Sequence, residues 1–408
     1  MKTYSLGSII NKYGGLIQTG PFGSQLHQYD YSQEGIPVVM PKDIKNGRID
    51  ENTVARIPER KAQELSRHCL KQGSIVFPRR GEISKCAYIE ADQEGFLCGT
   101  GCIKIELPRE VLSPRFFFYY LGLRHVVEWL ERNAIGTTML NLNTSIIGGI
   151  QIPDINIRRQ IEIADVLSAY DELIEKNRRR IDLLEHAVRL LYKEWFVHFR
   201  FPGHEHVKIN NGVPDGWEKA KIKDYFDLLG GFAFKSQIYQ ESGKYGIVTI
   251  KNVHNAQFIP DCSAYIDEIP ESMKEHCHLC TGDILLSLTG NIGRVCIIFG
   301  ENFLLNQRVA KISPRKNIPK CYVYWTFNNE GMQRNLENLA YGVAQQNLSP
   351  VKVGELDFIL PQSRILDLFE SYVEATFNII CNLNLVNQNL KKSRDLLLPR
   401  LMNGEIAV

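Results

Sequence analysis

Two glycine-centred segments, 78–85 and 287–294, carry basic and polar side chains on predicted loops between strands. Arginine and lysine bind phosphates or guanine edges, and asparagine can hydrogen-bond adenine. One such segment alone would be a hairpin turn with solvated charges, but two at matching places favour contact with nucleic acid. The candidate side chains are Arg79, Arg80, Lys85, Thr289, Asn291 and Arg294.

A third pair of segments, 136–141 and 342–347, is rich in hydroxyl and amide groups and precedes each predicted long helix. The alternative for this pair is a turn that caps a helix. Matching segments 42–44 and 251–253 each begin with a lysine. These segments add to the candidate DNA contacts Lys42, Thr137, Thr138, Asn141, Lys251, Gln345, Gln346 and Asn347.

Other chemistry finds little support in the sequence. The motifs of P-loop NTPases, α/β-hydrolases, zinc proteases, dinucleotide-binding folds and adenine-amino methyltransferases do not occur. The segment 276–280, His-Cys-His-Leu-Cys, lacks the second ligand pair that a zinc site needs. We therefore expect no metal, no cofactor and no catalytic residue. The basic run 176–180 is balanced by nearby acidic residues, which favours a solvated helix face over a DNA patch.

The elements that position these segments come from a tandem duplication. Matching segments in the two halves keep the same order, and their offset drifts only from 212 to 206 residues. Each half has short apolar runs between turns, which predict strands, and then a long helix after Pro153 or Pro361. The predicted strands are 36–40, 74–77, 86–90 and 103–107 in the first half and 247–250, 284–288, 295–299 and 309–312 in the second.

The two long helices each carry an apolar seam with alternating spacings of three and four, which is typical of a coiled coil. The seams run from Leu167 to Trp195 and from Leu366 to Leu397. An antiparallel pairing that brings Asn177 to Asn387 leaves most layers apolar on both sides, so these asparagines are predicted to fix the register. The alternative is that each seam packs on its own globular domain.

Composition bounds the class of protein. The chain has 408 residues, 44% hydrophobic, with a net charge of +2 and ten cysteines. The apolar content is enough for hydrophobic cores. The low net charge excludes a strongly basic, histone-like protein, so any nucleic-acid binding must come from local basic patches. No apolar run is long enough for a signal peptide or a membrane span. These features indicate a soluble cytosolic protein with free thiols.

Several motifs together resemble the specificity (S) subunits of type I restriction–modification enzymes. They are the segments 22–26 (Phe-Gly-Ser-Gln-Leu), 35–38, the Gly-x-Ile loops, 136–138, 141–142 and the ending 397–406. Segment 213–218, Val-Pro-Asp-Gly-Trp-Glu, resembles the beginning of such a protein's second recognition domain. The first half lacks a matching Pro-x-Gly-Trp segment, which indicates a shortened N-terminus and affects only the first strand. The resemblance covers essentially the whole chain.

The resemblance implies an α+β fold: a tandem duplicate of a β-rich target-recognition domain plus a long helix, with the two helices pairing as an antiparallel coiled coil. The implied domains are 1–157 and 207–362 for DNA recognition, and 158–200 and 363–402 for the spacer helices. It also implies a cytoplasmic, prokaryotic, non-catalytic subunit that reads a bipartite site on double-stranded DNA. The implied partners are methyltransferase (M) subunits, expected to be two and to carry S-adenosylmethionine, and a motor/nuclease (R) subunit.

The spacer has a predicted length. The seam from residue 167 to 195 would form a rod of about 42 Å at ~1.5 Å per residue, or roughly 12 base pairs at ~3.4 Å each. Two half-sites in opposite orientation with an unread gap would follow. Off the seam, Ile163, Leu173, Leu183 and Phe196 are expected to suit a partner helix or, alternatively, to pack on the recognition domains.

Two alternative functions are compared with the sequence. A fused nuclease or methyltransferase would need a catalytic or cofactor motif, and none is visible. A duplicated structural or adaptor scaffold without DNA specificity would need none. Binding to duplex DNA separates the scaffold from the specificity subunit.

Overall fold

The computed structural model describes residues 2–136, 140–290, 292–315, 318–341 and 347–407. Its internal contacts divide the chain into two compact units. Unit 1 combines residues 1–172 with 391–408, and unit 2 is the continuous segment 173–390. Each unit contains one β-rich repeat and a part of both long helices.

Unit 1 is built on an antiparallel four-stranded sheet, beside a three-stranded sheet in which two neighbours run parallel. A hairpin and a short strand pair complete it. In spatial order the strands are Leu16–Thr19, Cys102–Glu106, Ile75–Pro78 and Ala87–Tyr88; then Ala55–Ile57, Ile36–Val39 and Leu97–Cys98; then Ile44–Lys45 with Arg48–Ile49; and Thr3–Ser5 with Gln151–Pro153.

Unit 2 repeats this arrangement with two four-stranded sheets. The strands are Phe226–Gly230, Val309–Pro314, Ile284–Ser287 and Val295–Ile297; then Tyr265–Ile266, Tyr245–Val248, Phe303–Leu305 and His278–Leu279; then Val253–His254 with Gln257–Phe258; Glu218–Lys221 with Asp357–Leu360; and Ile209–Asn210 with Val213–Pro214. The pairing of Thr3–Ser5 with Gln151–Pro153 matches that of Glu218–Lys221 with Asp357–Leu360, so the first repeat does have its opening strand.

Every strand predicted from the sequence is present, with ends shifted by at most two residues. The helices follow capping signals: Ser113 caps the helix that begins with Pro114, and Asn143 caps the one that begins with Thr144. The shorter helices are Leu6–Tyr13, Glu59–Glu64, Pro114–Leu121, Arg124–Asn133, Thr144–Gly148, Ile222–Tyr225, Lys320–Asn328, Glu330–Tyr341 and Pro350–Gly354. Single 3₁₀ turns lie at Gln28–Asp30, Pro41–Asp43, Ser66–His68, Ala91–Gln93, His204–His206, Ser236–Ile238 and Glu275–Cys277.

The first long helix spans Ile157–Tyr192 and continues as a π-helical turn, Lys193–Val197; the second spans Ser363–Met402. In unit 2 they pair antiparallel as predicted: Asn177 Nδ2 donates to Asn387 Oδ1 at 2.9 Å, and the rings of Trp195 and Phe369 lie 5.7 Å apart. The seam side chains are buried or half-buried. The antiparallel coiled coil predicted from the heptads is therefore confirmed.

Within unit 1, the beginning of the first long helix meets the end of the second. Arg394 forms an ion pair with Asp171, whose carboxylate also accepts a hydrogen bond from the Tyr119 hydroxyl at 2.6 Å. Leu167 is fully buried and shares a core with Leu401 and Met402. The long helices thus pack on their own recognition domain as well as on each other, so the two alternatives for the seam are both partly realised.

No helix of the described ranges is long and apolar enough to cross a bilayer. In the same part of the chain, no three His, Cys, Asp or Glu side chains come together in a way that could hold a metal ion.

Candidate nucleic-acid interface

One edge of the four-stranded sheet in unit 1 collects the predicted contact loops. Strands Leu16–Thr19 and Ile75–Pro78 end there, and strand Cys102–Glu106 begins there. The Arg79 amide donates to the Gly101 carbonyl at 2.7 Å, and the Leu142 amide donates to the Arg79 carbonyl at 2.8 Å. Loops that are far apart in sequence are therefore held side by side by backbone hydrogen bonds.

Three cations outside any ion pair of the described residues lie at this edge of unit 1. Arg80 forms a β-bridge with Asn141, so two predicted contact loops meet at these residues. Lys42 is exposed in the turn that follows strand Ile36–Val39, where Gly101 approaches Pro41 closely. Among the described residues, Lys42, Arg79 and Arg80 have no carboxylate within ion-pair distance. Their charges are therefore available to an anionic partner.

Unit 2 has matching backbone hydrogen bonds at the corresponding edge of its own four-stranded sheet. The Leu288 amide donates to the Arg308 carbonyl at 2.9 Å, and the Leu348 amide donates to the Leu288 carbonyl at 2.7 Å. Thr289 forms a β-bridge with Asn347, as Arg80 does with Asn141. The shared loop geometry of the repeats predicted from the sequence is thus present at both edges. Gly290, at φ +69°, allows the turn, since a Cβ there would meet the Ile250 side chain at 2.8 Å.

The cations at the edge of unit 2 are Lys251, Arg294 and Arg308. Lys251 follows strand Tyr245–Val248 and is exposed. Arg294 Nη1 lies 3.2 Å from His254 Nδ1, and Arg308 is exposed with no carboxylate partner among the described residues. Arg308 was not among the contacts predicted from the sequence. Its counterpart in the first repeat is Gly101, so comparing charged residues between the halves gave no signal.

Polar atoms without partners gather where the loops meet. Arg79 Nε and Asn141 Oδ1 in unit 1, and Thr289 Oγ1 in unit 2, are buried with no hydrogen-bond partner among the described residues. A buried polar group without a partner costs roughly 1–3 kcal/mol. Both edges therefore keep hydrogen-bonding capacity that the described part of the chain does not use.

The remaining predicted contacts have mixed outcomes. Lys85 lies at the edge, but its ammonium group pairs with the Glu82 carboxylate on the same loop, so its charge is partly compensated. Five predicted contacts lie outside the described residues: Thr137, Thr138, Asn291, Gln345 and Gln346.

Two other basic residues of the repeat are held inside the protein. The Lys104 ammonium group is almost fully buried, donating to Glu106 at 2.7 Å and to the Cys69 carbonyl at 2.9 Å. Burial would raise the pKa of Glu106, but hydrogen bonds from Lys104 and Lys71 lower it below its ordinary value. Lys311 pairs with buried Asp283 at 2.7 Å in unit 2. These lysines stabilise the sheets and are not available to a ligand.

Comparisons with known proteins agree with this geometry. The type I restriction modification DNA specificity domain matches twice, at residues 2–186 and 214–386. The MjaIX specificity subunit of Methanocaldococcus jannaschii is 26% identical over 398 residues, which cover 93% of this chain and 88% of that protein. The HindI specificity subunit of Haemophilus influenzae is 21% identical over 99% of both chains.

The fold is also found in a solved structure. The crystal structure of a type I restriction–modification S subunit from M. genitalium matches with a TM-score of 0.52 and 18% identity, over 98% of this chain and 94% of that one. The duplicated edges, the two domain matches and the full-length relatives favour a specificity subunit over a duplicated scaffold. The chain belongs to the type I restriction modification DNA specificity family and is a specificity subunit with two copies of the family's domain.

Proposed function

We propose that each sheet edge binds one half of a bipartite site on double-stranded DNA, with the paired helices acting as the spacer between the half-sites. The observation that carries this proposal is the repeated edge. There, cations lie beside buried polar atoms, and within the described ranges neither the cations have carboxylate partners nor the polar atoms hydrogen-bond partners. Cations would bind phosphates, and the loop amides and hydroxyls would reach base edges. Because the loops differ in sequence between the repeats, the two half-sites differ in bases.

The proposed complex supplies the chemistry that this chain does not perform. It contains M subunits, expected to be two, that bind S-adenosylmethionine and methylate adenine in cytoplasmic DNA of a prokaryotic cell. An R subunit joins through the complex. The specificity subunit itself contributes recognition and assembly.

An apolar face in unit 2 supports the docking of a protein partner. Leu183 and Leu190 lie seven residues apart on the first long helix, and Leu183 is 70% exposed. Tyr372, Ile379 and Val386 do the same on the second. Their heptad positions put both stripes on one flank of the pair, here called the apolar flank. On the opposite flank, Phe377 packs against Tyr324 of the recognition domain.

Both outcomes expected from the sequence occur among the four apolar residues off the seam. Leu173 and Leu183 are exposed as expected, but Ile163 and Phe196 are buried in the cores of their own units. The π-helical turn at 193–197 places Phe196 against Tyr322, with ring centroids 4.9 Å apart. We propose that the exposed stripes, and not these two residues, contact an M subunit.

The test of function uses two triple-alanine variants in the complex with M subunits. Replacing Lys42, Arg79 and Arg80 should impair recognition of one half-site only, and replacing Lys251, Arg294 and Arg308 should impair the other. A lost base contact should cost about 1–3 kcal/mol and relax specificity at one position. Each lost phosphate contact should lower the salt slope by about 0.9.

Methylome sequencing followed by duplex binding at several salt concentrations gives both readouts. Lys71→Ala and Arg315→Ala are the matched controls, since these cations lie at the opposite ends of the same strands. Unchanged affinity and methylation in both triple variants would place the DNA surface elsewhere.

A further inference from the structure

The His254 ring contacts the Arg294 side chain and the Lys251 backbone at the edge of unit 2. Its Nδ1 lies 3.2 Å from Arg294 Nη1, and its Nε2 lies 3.1 Å from the Lys251 carbonyl oxygen. A guanidinium group has only donors, so Nδ1 must accept from Arg294. The ring proton therefore sits on Nε2 and is donated to the Lys251 carbonyl.

The backbone around this contact is fixed at both ends. His254 lies in the hairpin Val253–His254/Gln257–Phe258, and the Ala256 amide of its turn donates to the Val295 carbonyl at 2.9 Å. The Arg294 amide donates to Ser287 Oγ at 3.0 Å. The ring and the guanidinium group thus meet between two anchored segments, and the histidine selects one position for a long, otherwise flexible side chain.

We propose that His254 in its neutral form is a positioning residue that holds the Arg294 guanidinium group ready for contact with DNA. The inference rests on the proposed function of the edge. It goes further by naming a residue that acts through Arg294 and by making recognition in unit 2 depend on pH.

Protonation would oppose this arrangement. Histidine is the side chain that ordinarily changes charge between about pH 5 and 8. A proton on Nδ1 would face a guanidinium donor, so the hydrogen bond would be lost and two positive charges would meet. The charged side chain in contact with the ring is that of Arg294, Lys251 contributes its backbone carbonyl, and Gln257 lies across the hairpin. Of the strands packed against it, Ile284–Ser287 carries no charged side chain and Val295–Ile297 carries only the buried thiol of Cys296.

The first repeat provides an internal comparison. At the corresponding place in its hairpin stands Lys45, whose ammonium group pairs with Asp50 at 2.6 Å. The counterpart of Arg294 is Lys85, which pairs with Glu82. Recognition by unit 1 therefore has no histidine in this role, and pH should act on the half-site of unit 2 alone.

The experiment measures binding of the complex with M subunits to its methylome-defined duplex at pH 8 and at pH 5.5. His254→Ala should weaken binding at pH 8 by about three- to tenfold, the usual worth of one hydrogen bond. His254→Asn places an amide oxygen near the position of Nδ1, so it should keep wild-type affinity at pH 8 and, unlike the wild type, lose little of it at pH 5.5. In the Arg294→Ala background, His254→Ala should cause no further loss.

Controls separate the possible failures. His206→Ala, an exposed histidine outside the edge, should behave as wild type, and melting temperatures should show whether His254→Ala only weakens the fold. If Arg294→Ala weakens binding but His254→Ala does not, or if His254→Asn is no better than alanine, the positioning role is wrong. A complex that binds no duplex selectively would instead overturn the proposed function.

Discussion

The asparagine pair of the seam joins two polar side chains inside an apolar interface. Asn177 is buried, and its amide donates to Asn387 at 2.9 Å. Such a pair specifies register at some cost in stability. Asn177→Leu alone would leave the Asn387 amide without its partner and should destabilise unit 2 by about 1–3 kcal/mol.

The double variant Asn177→Leu/Asn387→Leu should recover that loss, because a leucine layer leaves no polar group unpaired. Hydrogen exchange of the long-helix amides measures the effect locally, which suits a chain of two units. Asn389→Leu, exposed on the same helix, is the control. A double variant as unstable as the single one would contradict this account of the pair.

Glu185 gives unit 2 a pH dependence. Burial beside Tyr324 raises the pKa of Glu185 to about 7; the nearby Asp182 adds to the shift and Arg189 opposes it. Its ordinary value is about 4.3. Since the folded state disfavours the charged carboxylate, the stability that the protonated form contributes is present below about pH 4.3 and is lost as the pH rises to 7.

Glu185→Gln should therefore raise the melting temperature at pH 8 by about 2 °C or more and leave it nearly unchanged at pH 4. Thermal unfolding at both pH values checks the prediction. Glu172→Gln, exposed on the same helix, should show no such difference. An equal shift at both pH values would assign the effect to side-chain volume and not to charge.

Residue-level prediction from the sequence had a clear limit at the edges. Lys42, Arg80, Asn141 and Thr289 could be proposed because their segments recur at a nearly constant offset. Arg308 could not, since the charge sits on one loop in unit 2 and on the facing loop, at Arg79, in unit 1. Backbone hydrogen bonds between residues far apart in sequence set the pairing of the loops. Only this pairing shows that Arg79 in unit 1 and Arg308 in unit 2 occupy equivalent edges.

At the scale of elements, the long helices were the most predictable part of the fold. A heptad pattern can be recognised from the spacing of apolar residues within a single helix. Matching the patterns of the two helices predicts the pairing of Asn177 with Asn387. Strands of four or more apolar residues were also visible. Two-residue strands such as Tyr265–Ile266 and His278–Leu279 could not be predicted. They form because they pair with strands that are distant in sequence, and their local sequence carries no strand pattern.

The proposed spacer can be lengthened where it would disturb neither unit. The two units divide after Glu172 on the first long helix and before Lys391 on the second, close to matching layers of the seam pairing. Four residues inserted after Glu172 and four after Lys391 should lengthen the helices by about 6 Å, close to two base pairs. The methylome should then show a longer gap between unchanged half-sites.

Insertion into the first helix alone is the control, since it mismatches the seam and should impair the complex. A gap of unchanged length in the double insertion, or altered half-sites, would show that the helices do not set the spacing.

At the scale of the whole molecule, a net charge of +2 gives little general attraction to DNA. We expect the purified chain to bind its site weakly and to need M subunits for tight binding. The apolar flank is the proposed contact, and Leu183→Lys with Ile379→Lys should abolish co-purification with M, because charges would be buried in the interface.

Ile209→Lys is the matched control, as Ile209 is exposed in a hairpin that is not part of the apolar flank. Melting temperatures should confirm that the double variant remains folded. Normal co-purification of that variant would refute the proposed contact between the apolar flank and M. Nanomolar site-specific binding by the chain alone would refute its dependence on M subunits.

Unit 1 closes only when its two separated segments meet, since Leu401 and Met402 complete the core around Leu167. During translation, all of unit 2 leaves the ribosome before that closing segment does. The repeat that is synthesised first is therefore finished last. Until then, the core of Ile163 and Leu167 lacks the side chains of the closing segment. Chaperones can bind these apolar side chains in the nascent chain, whereas the mature protein buries them.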